Sequence, residues 1–281
     1  MNVYVLIPVF NRIKCTKTII NCLRGQTLKK NLKVYIIDDG STDGTGAWLK
    51  KQSDINTING TGSLLWTGAI NLGLKTILKK ANLQDWLLLI NNDVEINNNY
   101  VEVMHKIAKN NYPAALGSIL KNKKGQIVSI GPKINVQNLK IKDLYEFKDV
   151  FQKSKLLKNI DALSGRGVIY PIKSIIETSR INRFIFPHYF ADYALSMRIK
   201  KKGYDLILSN DAYVYTEEDF ALKNLERKKQ SFFSKLFSKK SSYLIYSKFF
   251  FWWEASNNLE KIFLPLRIIV LIILRVLRRF L

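Results

Sequence analysis

Three short polar clusters interrupt the apolar runs of this chain. Asn11-Arg12 follows VYVLIPV (3–9), Asp38-Asp39 closes KVYIIDDG (33–40), and Asn91-Asn92-Asp93 ends the apolar run 86–90. Carboxylates and amides with few histidines suit a hard divalent cation, Mn2+ or Mg2+, and a diphosphate would complete part of its shell. In such a site Asp93 would hold the ion through one carboxylate. Asn92 would bond a sugar hydroxyl, and Asp39 would accept from a base N–H. By itself, Asn91-Asn92-Asp93 also reads as a polar turn capping the next helix. Its recurrence with the other two clusters favours a metal and a nucleotide.

The elements between the clusters must bring them together. Apolar runs at 3–9, 33–40, 55–59, 86–90 and 114–120 read as strands. Amphipathic stretches at 17–26, 41–52 and 67–81 read as helices, and Asn97 stands as an N-cap before a fourth. This alternation predicts a parallel sheet covered on both faces, whose ligands bind beyond the strands' carboxyl ends. All three clusters fall at those ends. In TGAIN (67–71), Gly68 at a helix start and Asn71 one turn in would let an anion approach, unless Thr67 simply caps the helix. Trp66 either walls that pocket or fills the core. Further on, 125–136 looks like a hairpin region, and NIDALSGRGVIYP (159–171) like a strand, a Gly-rich turn and a second apolar run. A helix ending near Gly203 and a strand follow.

The 281 residues, 47% of them hydrophobic, suffice for one large domain or a domain with an appendage. A formal charge of +23 points to a polyanionic partner. Cys15 and Cys22 lie about two helical turns apart, too far to bridge, and read as free thiols. His105 and His188 form no metal cluster. Met1 leads straight into a strand pattern, so no signal peptide is expected and the body should be cytoplasmic.

Composition shifts near Phe220. Residues 221–281 carry 13 Lys and Arg against three acids, alongside YSKFFFWWE. The expected division is a catalytic domain, 1–220, split into halves 1–120 and 121–220, followed by a helical tail, 221–281. The apolar stretch 262–274 would span only about 20 Å as a helix, short of a bilayer core. On a helical wheel Lys261, Arg267, Arg275, Arg278 and Arg279 share about a third of the circumference. That pattern suits a helix lying in an anionic membrane interface, with Trp252 and Trp253 as aromatic anchors. A tail packed on the domain or on a second subunit is the other arrangement.

IPVFNR, IIDDGSTDGT, LLWTGAINLG, LLLINNDVEI and YFADYALSMRIKKKGY occur in this order. The chain resembles the family 2 glycosyltransferases over residues 2–216. That resemblance implies a GT-A (Rossmann-like), mostly parallel sheet flanked by helices, and inverting transfer from a nucleotide-diphospho-sugar with a divalent ion. It places Pro8, Val9, Asn11 and Arg12 in the nucleotide pocket, Asp39 at the base, Asn92 near the ribose and Asp93 on the metal. Asp192 matches the catalytic base, although Ala191 replaces the acid that usually precedes it. Gly165 and Arg166 would lie under the acceptor, Arg166 meeting a phosphate. Glu95 is a further candidate ligand. No His occurs in AYVYTEEDF (212–220), where many relatives complete the metal shell; either Glu217 or Glu218 substitutes there or the ion is loosely held. With the basic tail, a polyprenyl-diphosphate-linked or other glycan acceptor is expected, at the cytoplasmic face of the inner or plasma membrane, in surface polysaccharide assembly. The alternative is an inactive nucleotide-binding module docking on a membrane or partner enzyme. Nucleic acid is not expected, since the charge sits beside aromatic runs and no recognition signature is present. A sugar nucleotidyltransferase would want a Gly-rich basic loop where Pro8-Val9-Phe10-Asn11 stands.

Overall fold

A computed structural model describes residues 1–146, 151, 154–216, 236–242 and 244–277. The amino-terminal half alternates as expected: β1 (Val3–Val9), α1 (Ile13–Arg24), β2 (Leu32–Asp38), α2 (Thr45–Leu49), β3 (Asn56–Asn59), α3 (Leu65–Ile77) and β4 (Trp86–Leu89). Then come β5 (Val94–Glu95), α4 (Tyr100–Asn110) and β6 (Ala114–Lys121). Three short strands, β7 (Ile127–Ser129), β8 (Pro132–Asn135) and β9 (Lys140–Asp143), precede β10 (Leu156–Leu157) and β11 (Val168–Pro171). The remainder is α5 (Ile172–Glu177), α6 (Ala191–Lys201), β12 (Asp205–Thr216), α7 (Ile245–Ala255) and α8 (Asn258–Leu277).

The main sheet runs β10-β12-β6-β11-β4-β1-β2-β3, with β5 on β12 and β7 on β6. β1, β2, β3 and β4 pair in parallel, as do β6 and β12. β11 runs antiparallel between β4 and β6. Both faces of the sheet are covered, so successive residues enter opposite layers. Leu6, Ile37, Leu87 and Leu89 face α3, α6 and α7; Val5, Ile7, Ile36 and Leu88 face α1 and α4. This is the mixed α/β GT-A architecture expected.

Several local expectations change. NIDALSG is not a strand: Leu163 N bonds Ser196 Oγ and Ile160 N bonds Leu206 O, tying this loop to α6 and β12. The 125–136 region does not close on itself, because β7 joins β6 and β8 pairs with the later β9. Asn97 is not the cap of α4. That position falls to Asn99, and Asn97 Nδ2 donates to Tyr213 Oη. Both cysteines are free, as expected.

The basic tail is not detached from the body. α7 packs on α6: Phe251 and Trp252 are buried, so Trp252 is a core residue and not the membrane anchor expected, and Phe251 meets Phe190 with ring centroids 4.6 Å apart. Arg198 Nε donates to Glu254 Oε1 at 2.8 Å, and Lys201 Nζ lies 3.6 Å from the same carboxylate. α8 buries Leu264 and turns Arg267 toward Val136 O. Outward it exposes Leu259, Ile262, Phe263, Leu266, Ile269 and Val270, a stripe at helical spacing. Arg278 lies outside the described residues. No helix among the described residues is long and apolar enough to cross a membrane.

Glu254 thus sits beside two cations at the α6–α7 contact, with its side chain only 17% exposed. Glu254→Ala should lower stability by about 1–3 kcal/mol in urea unfolding, because the partly buried Arg198 and Lys201 lose the carboxylate between them. Proteolysis after α6 should become faster. Unchanged urea midpoint and cleavage would show that α7 is not held there.

Candidate active site

The carboxyl ends of β1, β2 and β4 open into one cleft of about 970 Å3. Its walls include Pro8, Val9, Arg12, Asp39, Asn92, Asp93, Arg166 and Asp192. Acids from three distant stretches therefore meet in one space.

Each cluster is built by backbone bonding as much as by exposure. Asn11 and Arg12 both take left-handed φ, of 57° and 64°, which turns the chain sharply from β1 into α1. Asn11 fastens that turn to the next loop: its N donates to Ser41 Oγ, and its Oδ1 accepts from Thr42 N. It stands behind the cleft wall rather than on it. Asp39 is buried and accepts from Gly62 N through Oδ1 and from Leu64 N and Leu65 N through Oδ2. The acid expected at the base therefore also caps α3 and shapes its entry loop.

Gly68 and Asn71 do not line the cleft. A Cβ on Gly68 would lie 2.9 Å from Leu64 Cβ, so this glycine serves packing in the first turn of α3. Asn71 Nδ2 donates to Ile181 O, tying α3 to the segment before α6. Thr67 does not cap α3 either; its hydroxyl donates to Phe186 O.

After β4 the three polar residues diverge. Asn91 Oδ1 accepts from Trp66 Nε1 at 3.0 Å, and the buried Asn92 donates to Thr16 Oγ1. Asp93 Oδ2 pairs with Arg12 Nη1 at 3.0 Å. Glu95 turns away and pairs with Lys123, because β5 is only two residues long and follows a turn. It therefore does not share a site with Asp93. Among the described residues, no three His, Cys, Asp or Glu come together as a metal group. Glu217 and Glu218 lie outside them. One hard carboxylate suits a divalent cation that arrives with a diphosphate and keeps waters, rather than one held in an all-protein cage.

Asp192 opens α6. Its Oδ2 accepts from Gly165 N at 2.8 Å and its Oδ1 from Tyr193 N at 2.9 Å. Enclosure by protein pushes its carboxyl above the usual 3.8; the two backbone N–H groups and the Arg166 charge oppose that shift. Gly165 itself is off the cleft wall. A Cβ there would come within 2.7 Å of the Trp66 ring, so the glycine lets Trp66 lie against the loop. Trp66 spans from Asn91 to the residue that holds Asp192. Sequence reading left it undecided, since an indole by itself does not reveal which loops it bridges. Ser118, Ser129, His188, Tyr189 and Lys240 also line the cleft and were not singled out.

Residues 4–167 match the sequence model of glycosyl transferase family 2. The chain belongs to that family. No curated protein matches it. Among solved structures, this family 2 member is similar to the mannosyltransferase PcManGT from Pyrobaculum calidifontis, in complex with GDP-Man and Mn2+: 14% identity, TM-score 0.58, 80% of this chain and 60% of that one. TarS of S. aureus is similar at 19% identity and TM-score 0.55, over 77% of this chain and 36% of that one. GalNAc-T7, with UDP, GalNAc and Mn2+, aligns at 11% identity and TM-score 0.61, over 77% and 44%. The chain thus spans less than two thirds of each of these neighbours.

An acid whose folded pKa is raised binds its proton more tightly in the folded state. Stability then falls as pH climbs from about 3.8 through the raised value. In Asp192→Asn this component is absent, so the melting temperature of the variant minus that of the wild type should rise across that window. A flat difference would show that the Asp192 carboxyl is not shifted.

Proposed function

We propose that this protein transfers a sugar, with inversion, from a nucleoside-diphospho-sugar to a hydroxyl of a lipid-linked glycan at an anionic membrane surface. The observation that carries the reading is the meeting of Asp39, Asp93 and Asp192 in one cleft. The donors named for neighbouring structures, GDP-Man and UDP-GlcNAc, support that donor class.

Pro8, Val9 and Asp39 form the floor for the nucleotide, Asp39 presenting the one lone pair left on its Oδ1 to the base. Asn92, steadied by Thr16, lies toward the ribose. Asp93 would hold Mn2+ or Mg2+, which when bound would neutralise charge on the leaving diphosphate. Arg12 pairs with that carboxylate and must yield it to the cation. Asp192 accepts the proton of the acceptor hydroxyl as that oxygen attacks the anomeric carbon. The nucleoside diphosphate departs from the opposite face, which inverts configuration. A raised pKa brings Asp192 closer to working pH and makes it a stronger base than an exposed Asp. Gly165 N and Tyr193 N fix the carboxylate's direction, and Arg166 stands beside it to receive a phosphate of the acceptor.

The outward stripe on α8 supports the membrane part of the reading. Ile262, Leu266 and Ile269 are 70%, 62% and 53% exposed, and Phe250 and Trp253 of α7 are also exposed. The 221–281 stretch carries a net +10 charge, which favours an anionic bilayer over a neutral partner. Trp253 lies under the Lys261 ammonium, a pairing suited to the headgroup level.

Asp192→Asn should lower transfer by about 10^2–10^4-fold, with wild-type thermal shifts by nucleotide and Mn2+ retained. Asp93→Ala should lose the Mn2+-dependent part of that shift. Full transfer by Asp192→Asn would remove the base assignment, and an unchanged Mn2+ effect in Asp93→Ala the metal assignment. For the membrane, Ile262→Asp with Leu266→Asp replaces only exposed side chains. The doubly changed protein should no longer co-sediment with vesicles rich in anionic lipid; undiminished sedimentation would count against α8 as the contact.

A further inference from the structure

The tail also reaches the cleft. Residues 238–242, SKKSS, form a turn in which Lys240 N donates to Ser238 Oγ and Ser241 N to Ser238 O. The turn is anchored two residues later by buried Leu244, whose N bonds Ser241 O, and then by α7. Ser247 Oγ of that helix donates to Ile185 O, and its Phe251 lies tilted against Phe190 on the cleft wall. The turn therefore has a fixed base on the catalytic body.

From this base Lys240 and Ser242 line the cleft. Lys240 Nζ lies 5.6 Å from the centre of the Phe10 ring. Phe10 directly follows β1, on the side of the cleft that holds Pro8, Arg12 and Asp93. A cation over an exposed ring is held weakly, so an anion entering the cleft can draw the ammonium away. Of the other described cleft cations, Arg12 is paired with Asp93, and Arg166 is close enough to Asp192 to act on its charge. Lys240 is, among the described residues, a further cation on the Arg12 side of the cleft that a diphosphate can meet.

We propose that Lys240 binds the diphosphate of the donor, so that the carboxy-terminal extension completes the nucleotide site as well as carrying the membrane face. This rests on the donor reading above. The turn borders the cleft near Phe10, and four residues, 241–244, separate Lys240 from the first residue of α7. Lys239 is also exposed but is not on the cleft wall, which makes it a control.

The test is calorimetric titration of the full chain with UDP, GDP, ADP, CDP and dTDP in the presence of Mn2+, followed by the nucleoside of whichever binds. Lys240→Gln should weaken the diphosphate about tenfold, the loss of one charge-assisted contact, and leave the nucleoside unchanged. Lys240→Arg should restore most of the affinity, and Lys239→Gln should match the wild type. Equal diphosphate affinity in Lys240→Gln, or an equal loss for the nucleoside, overturns the assignment while the donor reading stands. If the wild type binds none of the five diphosphates, the donor reading falls and this assignment with it.

Discussion

Val9 pairs in register with Asp38, and Asp38 with Asn59, while Leu6 pairs with Leu89 one strand away. Parallel pairing lines up strand ends that are tens of residues apart in sequence. Everything at the cleft depends on that alignment. Because the strands are apolar on both faces, a one-residue slip would expose buried side chains to the wrong layer. The core therefore fixes the register, and the register fixes where Arg12, Asp39 and Asp93 emerge.

The second half of the site is set by an inversion of direction. β11 runs antiparallel between β4 and β6, so its beginning lies where its neighbours end. The turn before it, Ser164 to Gly167, is thereby delivered to the same edge as Asp93. Gly165 N can then reach Asp192 across 27 residues of chain. A parallel strand at this place would put that turn at the opposite end of the sheet. Trp66 closes the arrangement, bonded to Asn91 at one end and resting on Gly165 at the other.

Polar residues at this edge hold the cleft's walls, and some of them, Asp39 and Asn92, face the cleft as well. Asn11, Asn71 and Asn92 all spend an amide on the protein, and Asp39 accepts three backbone N–H groups. Buried amides and carboxylates require such partners, since an unpaired one would cost stability. The same requirement makes the loops rigid enough to present Asp93 and Asp192 at fixed positions. The tail follows this logic on a larger scale, with Glu254 bonding Arg198 on the inner side while apolar side chains remain outside.

The order of strands and helices in the first 120 residues, the carboxyl-end placement of the acids and the family were legible in the chain itself. Apolar run length and helical spacing are local properties, and a motif series keeps its order without reference to contacts. Other features were decided only by the tertiary structure. The loop at 159–167 has the apolar content of a strand, yet its bonding groups are taken by α6 and β12. Gly68 and Asn71 resemble an anion site until neighbouring packing claims them, and Glu95 resembles a ligand until Lys123 does. Lys240 is one lysine in a basic run until α7 fixes its turn beside Phe10. The physical reason is that a side chain's role is set by the groups that fold against it, for polar ones the donor, acceptor or charge within hydrogen-bond reach. Residues far apart in sequence supply those partners.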